Sequence, residues 1–377
     1  MTKLAGFEFT KYIKYNNSGE IIALRALNLR QGELDLTDIK RIDKSVSELL
    51  PRSKLYSGDI LLTYTGNGYG DCALISENDR YHLAPNICKI TPDIQKIDPY
   101  FLYSYIRSKA FYQQMSNHMV GSSQPTIPMR AIRELKVPFP SLEKQKKIKV
   151  ILSTLDGKIR INHAINDNLQ QQAAALFSSL YDRTNTEVRF TDLIQILGGG
   201  TPKTGENTYW NGNIAFFTPK DVGTPYTLIT EKTITEEGLS HCNSRLYPVN
   251  TVFVTARGTV GKVGMSGVPM AMNQSCYALV GKETHQLLVY FYTLKAVDRL
   301  KHKASGAVFD AITTRDFESE QIMKLSDDDA KAFLCIAEPM FQKVLNNCIE
   351  NLRLSTLRDS LLPKLMSGEV DVSAVQL

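Results

Sequence analysis

The segment GGGTPKTGENTYW (Gly198–Trp210) is the most conspicuous candidate for chemistry in the chain. Glycines followed by threonine, proline and lysine suggest a loop that cradles phosphate. Such a loop requires Gly, four residues, Gly, then Lys and Ser or Thr. The lysine must reach the β- and γ-phosphates and the hydroxyl must reach magnesium. Gly200 and Gly205 satisfy the glycine spacing, but Glu206 and Asn207 follow, so an anion stands where the cation is needed. A nucleotide-binding loop is excluded at the residue that carries its chemistry. The glycines are then expected to supply left-handed backbone in a loop punctuated by Pro202 and Gly205.

Other catalytic constellations fail in similar ways. An amino-methyltransferase needs an Asn/Asp-Pro-Pro-Tyr/Phe motif, and the nearest string, IDPYF around Asp98–Tyr100, lacks the second proline. GNGYG (Gly66–Gly70) resembles a dinucleotide loop, yet it stands between two apolar runs where a hairpin turn is expected. Asp93 and the Glu134/Lys136 pair contain the groups of a nuclease site but lie far apart in sequence. The six histidines show no ligand spacing, and the six cysteines form no CxxC pair, the pattern of reduced, packed thiols in a cytoplasmic protein. No catalytic residue and no metal ligand is assigned.

The elements around these residues form an internal repeat. LYSGDILLTYTGNGYGDCALI (Leu55–Ile75) reads as strand, glycine turn, strand, and LYPVNTVFVTARGTVGKVGM (Leu246–Met265) repeats that plan. Tyr56, Leu62 and Gly70 align with Tyr247, Phe253 and Gly261 at an offset of 191, and Gly121 and Ile127 align with Gly306 and Ile312 at 185. A repeat this long means two tandem domains, not a solenoid.

A helical segment follows each domain. From Ser141 to Tyr181, steps of four and three run through Ile148, Leu152, Leu155, Ile159, Asn162, Asn166, Leu169, Ala173, Leu176 and Leu180. A helix of about 40 residues spans roughly 60 Å, and its narrow apolar face calls for a helical partner. The C-terminal segment offers one through Phe341, Leu345, Cys348 and Leu352, with stop signals at Pro363 and Gly368. The expected fold is α+β: two similar globular domains, each followed by a long helix, the two helices pairing with each other or, in the alternative, packing on their own domains. The expected boundaries are 1–140, 141–182, 183–327 and 328–377. The pairing positions are Ile148, Leu152, Leu155, Ile159, Leu169 and Leu176 on one helix, and Phe341, Leu345 and Leu352 on the other.

Composition is that of a globular protein, 43% hydrophobic and 22% charged, with no apolar run long enough to span a membrane. Net charge is +5, concentrated before residue 182. Nucleic acid is permitted as a partner but not demanded.

The chain resembles the DNA-specificity subunits of type I restriction–modification enzymes. The resemblance is carried by GGGTPKTGENTYWNGNIAFFTPKDV (Gly198–Val222), SGDILLTYTG, IPMRAI and ITTRDF. It also rests on the junction VPFPSLEKQKKIKVILSTLDGKI (Val137–Ile159) and the ending LRDSLLPKLMSGEV (Leu357–Val370). The first domain departs from the pattern: it begins at FEFTKYIKYNN without the glycine loop, as a diverged variant or with a shortened start. The resemblance implies two target-recognition domains, each reading one half of a split, asymmetric sequence in double-stranded DNA. The two helices would pair antiparallel, act as a spacer and dock two methyltransferase subunits, which motor-nuclease subunits join. S-adenosylmethionine, ATP and magnesium would belong to those partners, not to this chain.

On that reading, side chains on loops meet base edges and phosphates. In the second domain the candidates are Lys203, Thr204 and Lys220 beside the tryptophan, and Arg257, Thr259 and Lys262 on the hairpin turn. Asn273 and Gln274 are expected on the next strand edge, and Lys301 and Lys303 near a helix end. In the first domain they are Tyr64, Asn67 and Tyr69 on the hairpin, with Arg25, Arg80, His82, Ser122 and Gln124. Trp210 and its neighbours Tyr209, Phe216 and Phe217 read as core. Two other classes remain open. A self-sufficient DNA-modifying enzyme would act alone, and a structural adaptor would show no sequence-dependent DNA binding.

Overall fold

The structure, a computed structural model, describes residues 1–377 apart from 31, 67, 122–123, 224, 304–310 and 377. It divides into two compact units, Met1–Lys158 with Leu354–Leu377, and Ile159–Arg353.

In the first unit a four-stranded antiparallel sheet is built on a hairpin. Its strands are Thr2–Lys3 (β1), Ile60–Thr63, Cys72–Leu74 and Ile87–Ile90, and Ile60–Thr63 pairs with both of the last two. The sequence ILLT is buried at every position, which suits a strand covered on both faces. A three-stranded sheet places Ile21–Leu24 antiparallel to Lys40–Ile42 and parallel to Tyr81–Leu83. Helices Pro99–Ile106 (α1) and Lys109–Ser116 (α2) follow, capped by Asp98 and Ser108 side chains that accept bonds from first-turn amides.

The second unit repeats this plan. Val252–Thr255 and Val263–Ser266 form the hairpin, and Cys276–Gly281 pairs with the first of these strands. Ile194–Gly198 lies on Cys276–Gly281, in the place that β1 takes in the first unit. Trp210–Phe217 lies antiparallel to Lys232–Ile234 and parallel to Met270–Met272, as Ile21–Leu24 does between its neighbours. Helix Gln286–Lys303 (α3) lays Phe291, Tyr292, Ala296 and Val297 into the core of this unit.

The boundary between the units falls inside two long helices, Leu142–Tyr181 and Asp327–Ser367. The second begins with Asp327, Asp328 and Asp329, anions suited to the positive end of the helix dipole. It ends just before Gly368, whose φ of +83° is the left-handed backbone of a helix stop. Pro363, expected as a stop, lies inside the helix instead.

Within each unit the helices pair antiparallel. In the first, Ile148 and Leu152 share a buried cluster with Leu362 and Leu365. Beside it Asp156 accepts from Arg107 at 3.1 Å, from Arg358 at 2.7 Å, and from the Tyr100 hydroxyl. In the second unit, Ala173 and Phe177 join Phe333, Ala337, Phe341 and Leu345, with Leu169 and Leu176 partly buried against them. Asn162 donates to Asn351 at 2.8 Å, and Asn347 donates to Asn166 at 2.8 Å. Leu155, Ile159 and Leu352 are half-buried, and the fully covered position beside Leu352 is Asn351.

Candidate nucleic-acid interface

Each hairpin turn is held by the same two features. Glycines with positive φ bend it: Gly66 and Gly70 at +88° and +91° in the first unit, Gly258 and Gly261 at +81° and +72° in the second. The chain that follows the helical part of each unit then bonds across the turn. The Ile127 amide donates to the Tyr64 carbonyl at 2.9 Å, and the Ile312 amide donates to the Ala256 carbonyl at 2.9 Å. Thr65 bridges Thr126 as Arg257 bridges Ala311. Ile127 and Ile312, like Thr126 and Ala311, keep the offset of 185, whereas Tyr64 and Ala256, like Thr65 and Arg257, stand 192 apart, one residue more than the hairpin offset of 191.

In the second unit these contacts gather most of the candidate residues along one edge. Arg257, Thr259 and Lys262 are exposed on the turn. The Thr259 hydroxyl donates to the Pro219 carbonyl at 3.3 Å, which brings in the loop of Lys220. Lys220 is exposed and lies 3.7 Å from Glu231. The Lys301 side chain crosses Gly261 so closely that a β-carbon there would come within 2.6 Å of it. On the other flank the Arg257 amide donates to the Ser275 carbonyl at 3.3 Å. Asn273 and Gln274 sit in the turn just before it, rather than on a strand edge. The Thr201 hydroxyl donates to Gln274, joining the glycine loop to this edge.

That glycine loop is built differently from expectation. Gly198, Gly199, Gly200 and Gly205 are not among the positive-φ glycines. Gly199 and Gly200 are needed for close approach: a β-carbon would lie 2.2 Å from the Asn273 carbonyl oxygen at Gly199, and 2.5 Å from the Asn243 amide at Gly200. Lys203 and Thr204 beyond them are exposed. Trp210 is half-buried, edge-on to Phe216 at 5.5 Å, and its indole N–H donates to the Lys203 carbonyl at 3.1 Å. The tryptophan therefore ties the loop to the strand behind it.

Lys303 is a correction. Its ammonium bonds to Glu320, a fully buried carboxylate that also meets Arg299 at 2.8 Å. Removing that ion from water is costly unless it is paired, so Lys303 is held as a structural partner.

In the first unit Tyr64, Tyr69 and Gln124 lie at the hairpin turn, whereas Asn67 and Ser122 fall outside the described residues. Tyr69 stacks on Tyr112 of α2, ring centroids 5.2 Å apart and 20° from parallel, and the Tyr112 hydroxyl donates to the Tyr69 oxygen at 2.6 Å. Tyr112 escaped the sequence reading because it belongs to no motif and meets the turn only through the fold.

Arg25 and His82 are further corrections. Arg25 binds the Asp38 carboxylate at 3.1 Å and the Asp38 carbonyl at 2.8 Å. His82 is fully buried, its Nδ1 lies 2.8 Å from the Leu83 carbonyl, and burial lowers its pKa from the usual value. Arg80 forms a two-pronged bond with Glu77 at 2.7 and 2.8 Å, beyond the hairpin end opposite the turn. Among the described residues no group of acidic, histidine or cysteine side chains could hold a metal, and no helix is long and apolar enough to cross a membrane.

Comparison with known proteins also finds two related segments. A family model described as the type I restriction modification DNA specificity domain matches residues 6–171 and 183–324. The chain is 22% identical over 451 residues to the HindI specificity subunit of Haemophilus influenzae, covering 97% of this chain and 96% of that protein. It is 22% identical over 299 residues to the MjaIX specificity subunit of Methanocaldococcus jannaschii, covering 72% and 69%. Its fold is similar to the crystal structure of a type I restriction-modification S subunit from M. genitalium, with a TM-score of 0.54, 15% identity, and coverage of 96% and 91%.

Proposed function

The chain belongs to the family of type I restriction modification DNA specificity domains and carries two of them, and on that premise we propose how it reads DNA. It is a specificity subunit, a family role that is non-catalytic. Each unit reads one half of a split, asymmetric target in double-stranded DNA. In this reading the target-recognition domains occupy 1–140 and 183–327, and the helices of 141–182 and 328–377 form the spacer and dock two methyltransferase subunits. Motor-nuclease subunits join that core, and S-adenosylmethionine, ATP and magnesium serve those partners.

The observation that carries the proposal is the twice-built hairpin turn, bridged in both units by the chain after the helices. Around the second turn, Arg257, Lys262, Lys301, Lys220 and Lys203 supply cations for phosphates and guanine edges. Thr204, Thr259, Asn273 and Gln274 supply neutral hydrogen-bonding groups. In the first unit Tyr64, Tyr69 and Gln124 take that role. Each good bidentate base contact adds about 1–3 kcal/mol of discrimination.

The test uses the full chain co-purified with its methyltransferase subunits. Lys203→Ala and Arg257→Ala should weaken DNA binding, and loss of each phosphate contact should reduce the salt slope by about 0.9. Unchanged affinity and slope in both variants would remove these loops from the interface.

A further inference from the structure

The two hairpin turns share a frame but not a chemistry. Residues 256–262, ARGTVGK, carry two cations, and Lys301 lies across Gly261. Residues 64–71, YTGNGYGD, carry no cation, and their one charged residue is the acid Asp71. The helix meets the turn at matching places. A β-carbon on Gly70 would touch the Tyr112 ring at 3.0 Å, and one on Gly261 would touch Val297 at 3.1 Å. Tyr112 and Val297 are separated by the repeat offset of 185. Where the second unit sets Val297 and a lysine, the first sets two stacked phenols.

We propose that Tyr69 and Tyr112 form an uncharged reading pair, so that the first unit selects its half-site through phenol hydrogen bonds while the second supplies the salt-dependent phosphate contacts. The proposal rests on the DNA-reading function above and adds a division of labour between its two halves.

The geometry suits that task. Stacking fixes both rings, so little side-chain freedom remains to be lost on binding. Tyr112 is 45% exposed although it is a large aromatic on a helix, so its ring is not spent on the core. Because Tyr112 donates to Tyr69, the Tyr69 hydroxyl keeps its own proton to give to an outside acceptor. Donation by Tyr112 also lowers the pKa of the Tyr69 phenol, which makes it a better donor. The Ser116 hydroxyl donates its proton to the Tyr112 carbonyl at 2.9 Å. Acceptors of matching chemistry in the major groove are guanine O6 and N7, adenine N7 and thymine O4. Lys3 lies over the Tyr64 ring at 5.7 Å, on the flank formed by the first strand rather than on the turn.

The experiment uses the full chain in complex with its methyltransferase subunits, on duplexes bearing the target found by methylation mapping. Each half-site is scrambled in turn and binding is followed over a salt series. Tyr69→Phe and Tyr112→Phe keep the rings and should leave the melting temperature unchanged. They are expected to lower affinity for the intact target about three- to tenfold, to reduce discrimination at one half-site only, and to leave the salt slope at its wild-type value. The Arg257→Ala/Lys301→Ala double variant should instead lower the slope by about two. Wild-type affinity in both phenylalanine variants, equal loss at both half-sites, or a changed slope would overturn the proposal. A complex that prefers no sequence would overturn the DNA-reading function itself, and this division of labour with it.

Discussion

Gly199 and Asp156 show how single residues are committed by partners remote in sequence. A β-carbon on Gly199 would fall 2.2 Å from the backbone oxygen of Asn273, so Gly199→Ala must push the loop away from the turn of Asn273 and Gln274. Overpacking of this kind costs about 1–3 kcal/mol, and a lowered urea midpoint with unchanged m-value would report it. Burial pushes the Asp156 carboxyl pKa up, but Arg107, the Tyr100 hydroxyl and Arg358 outweigh it and hold the group below the usual carboxylate range. A carboxyl lowered on folding contributes stability above its unfolded pKa and loses it as pH falls through the folded value. Asp156→Asn should therefore cost about 3 kcal/mol near neutrality, because the largely buried Arg107 loses its counter-ion and Arg358 keeps only Asp359, and the difference from wild type should shrink in acid. Equal melting temperatures at neutral pH would refute that account. The misread site residues share the same cause. Arg25, His82 and Lys303 have types suited to DNA, yet Asp38, the core and Glu320 claim them through contacts that no local pattern reveals.

At the scale of elements, the long helices were the most legible part of the sequence. Their three-and-four spacing survives as Ile148, Leu152, Ala173 and Leu180 on one and Phe341 and Leu345 on the other. The hairpins were legible too, because buried ILLT and VFVT frame glycines that the turns require. The glycine loop was legible as a loop but not in its reason, since close backbone approach leaves no mark distinct from positive φ. The four seam asparagines also exceed what the pattern could say. They form two amide pairs, 162 with 351 and 166 with 347, and 162 and 166 map onto 347 and 351 at the repeat offset of 185. The duplication maps one pair onto the other, so one register forms both bonds. Asn162→Leu alone should cost about 1–3 kcal/mol by stranding the Asn351 amide, and Asn162→Leu/Asn351→Leu should recover most of it. A double-mutant cycle on chemical denaturation measures that coupling, and strict additivity would contradict the pairing.

For the whole molecule, the central claim is that two related readers act on one DNA from one chain. Two linked modules select by half-site identity and by spacing together, so the recognised sequence must be interrupted. The turns differ in charge, the cations Arg257 and Lys262 against the single acid Asp71 in residues 64–71, so the two halves of the target should differ as well. The most direct measurement is to express the chain with its methyltransferase subunits and map modified bases across genomic DNA. The account predicts one split, asymmetric motif with a fixed number of unspecified base pairs between unlike halves. A single short uninterrupted palindrome, or modification without any shared sequence, would contradict it.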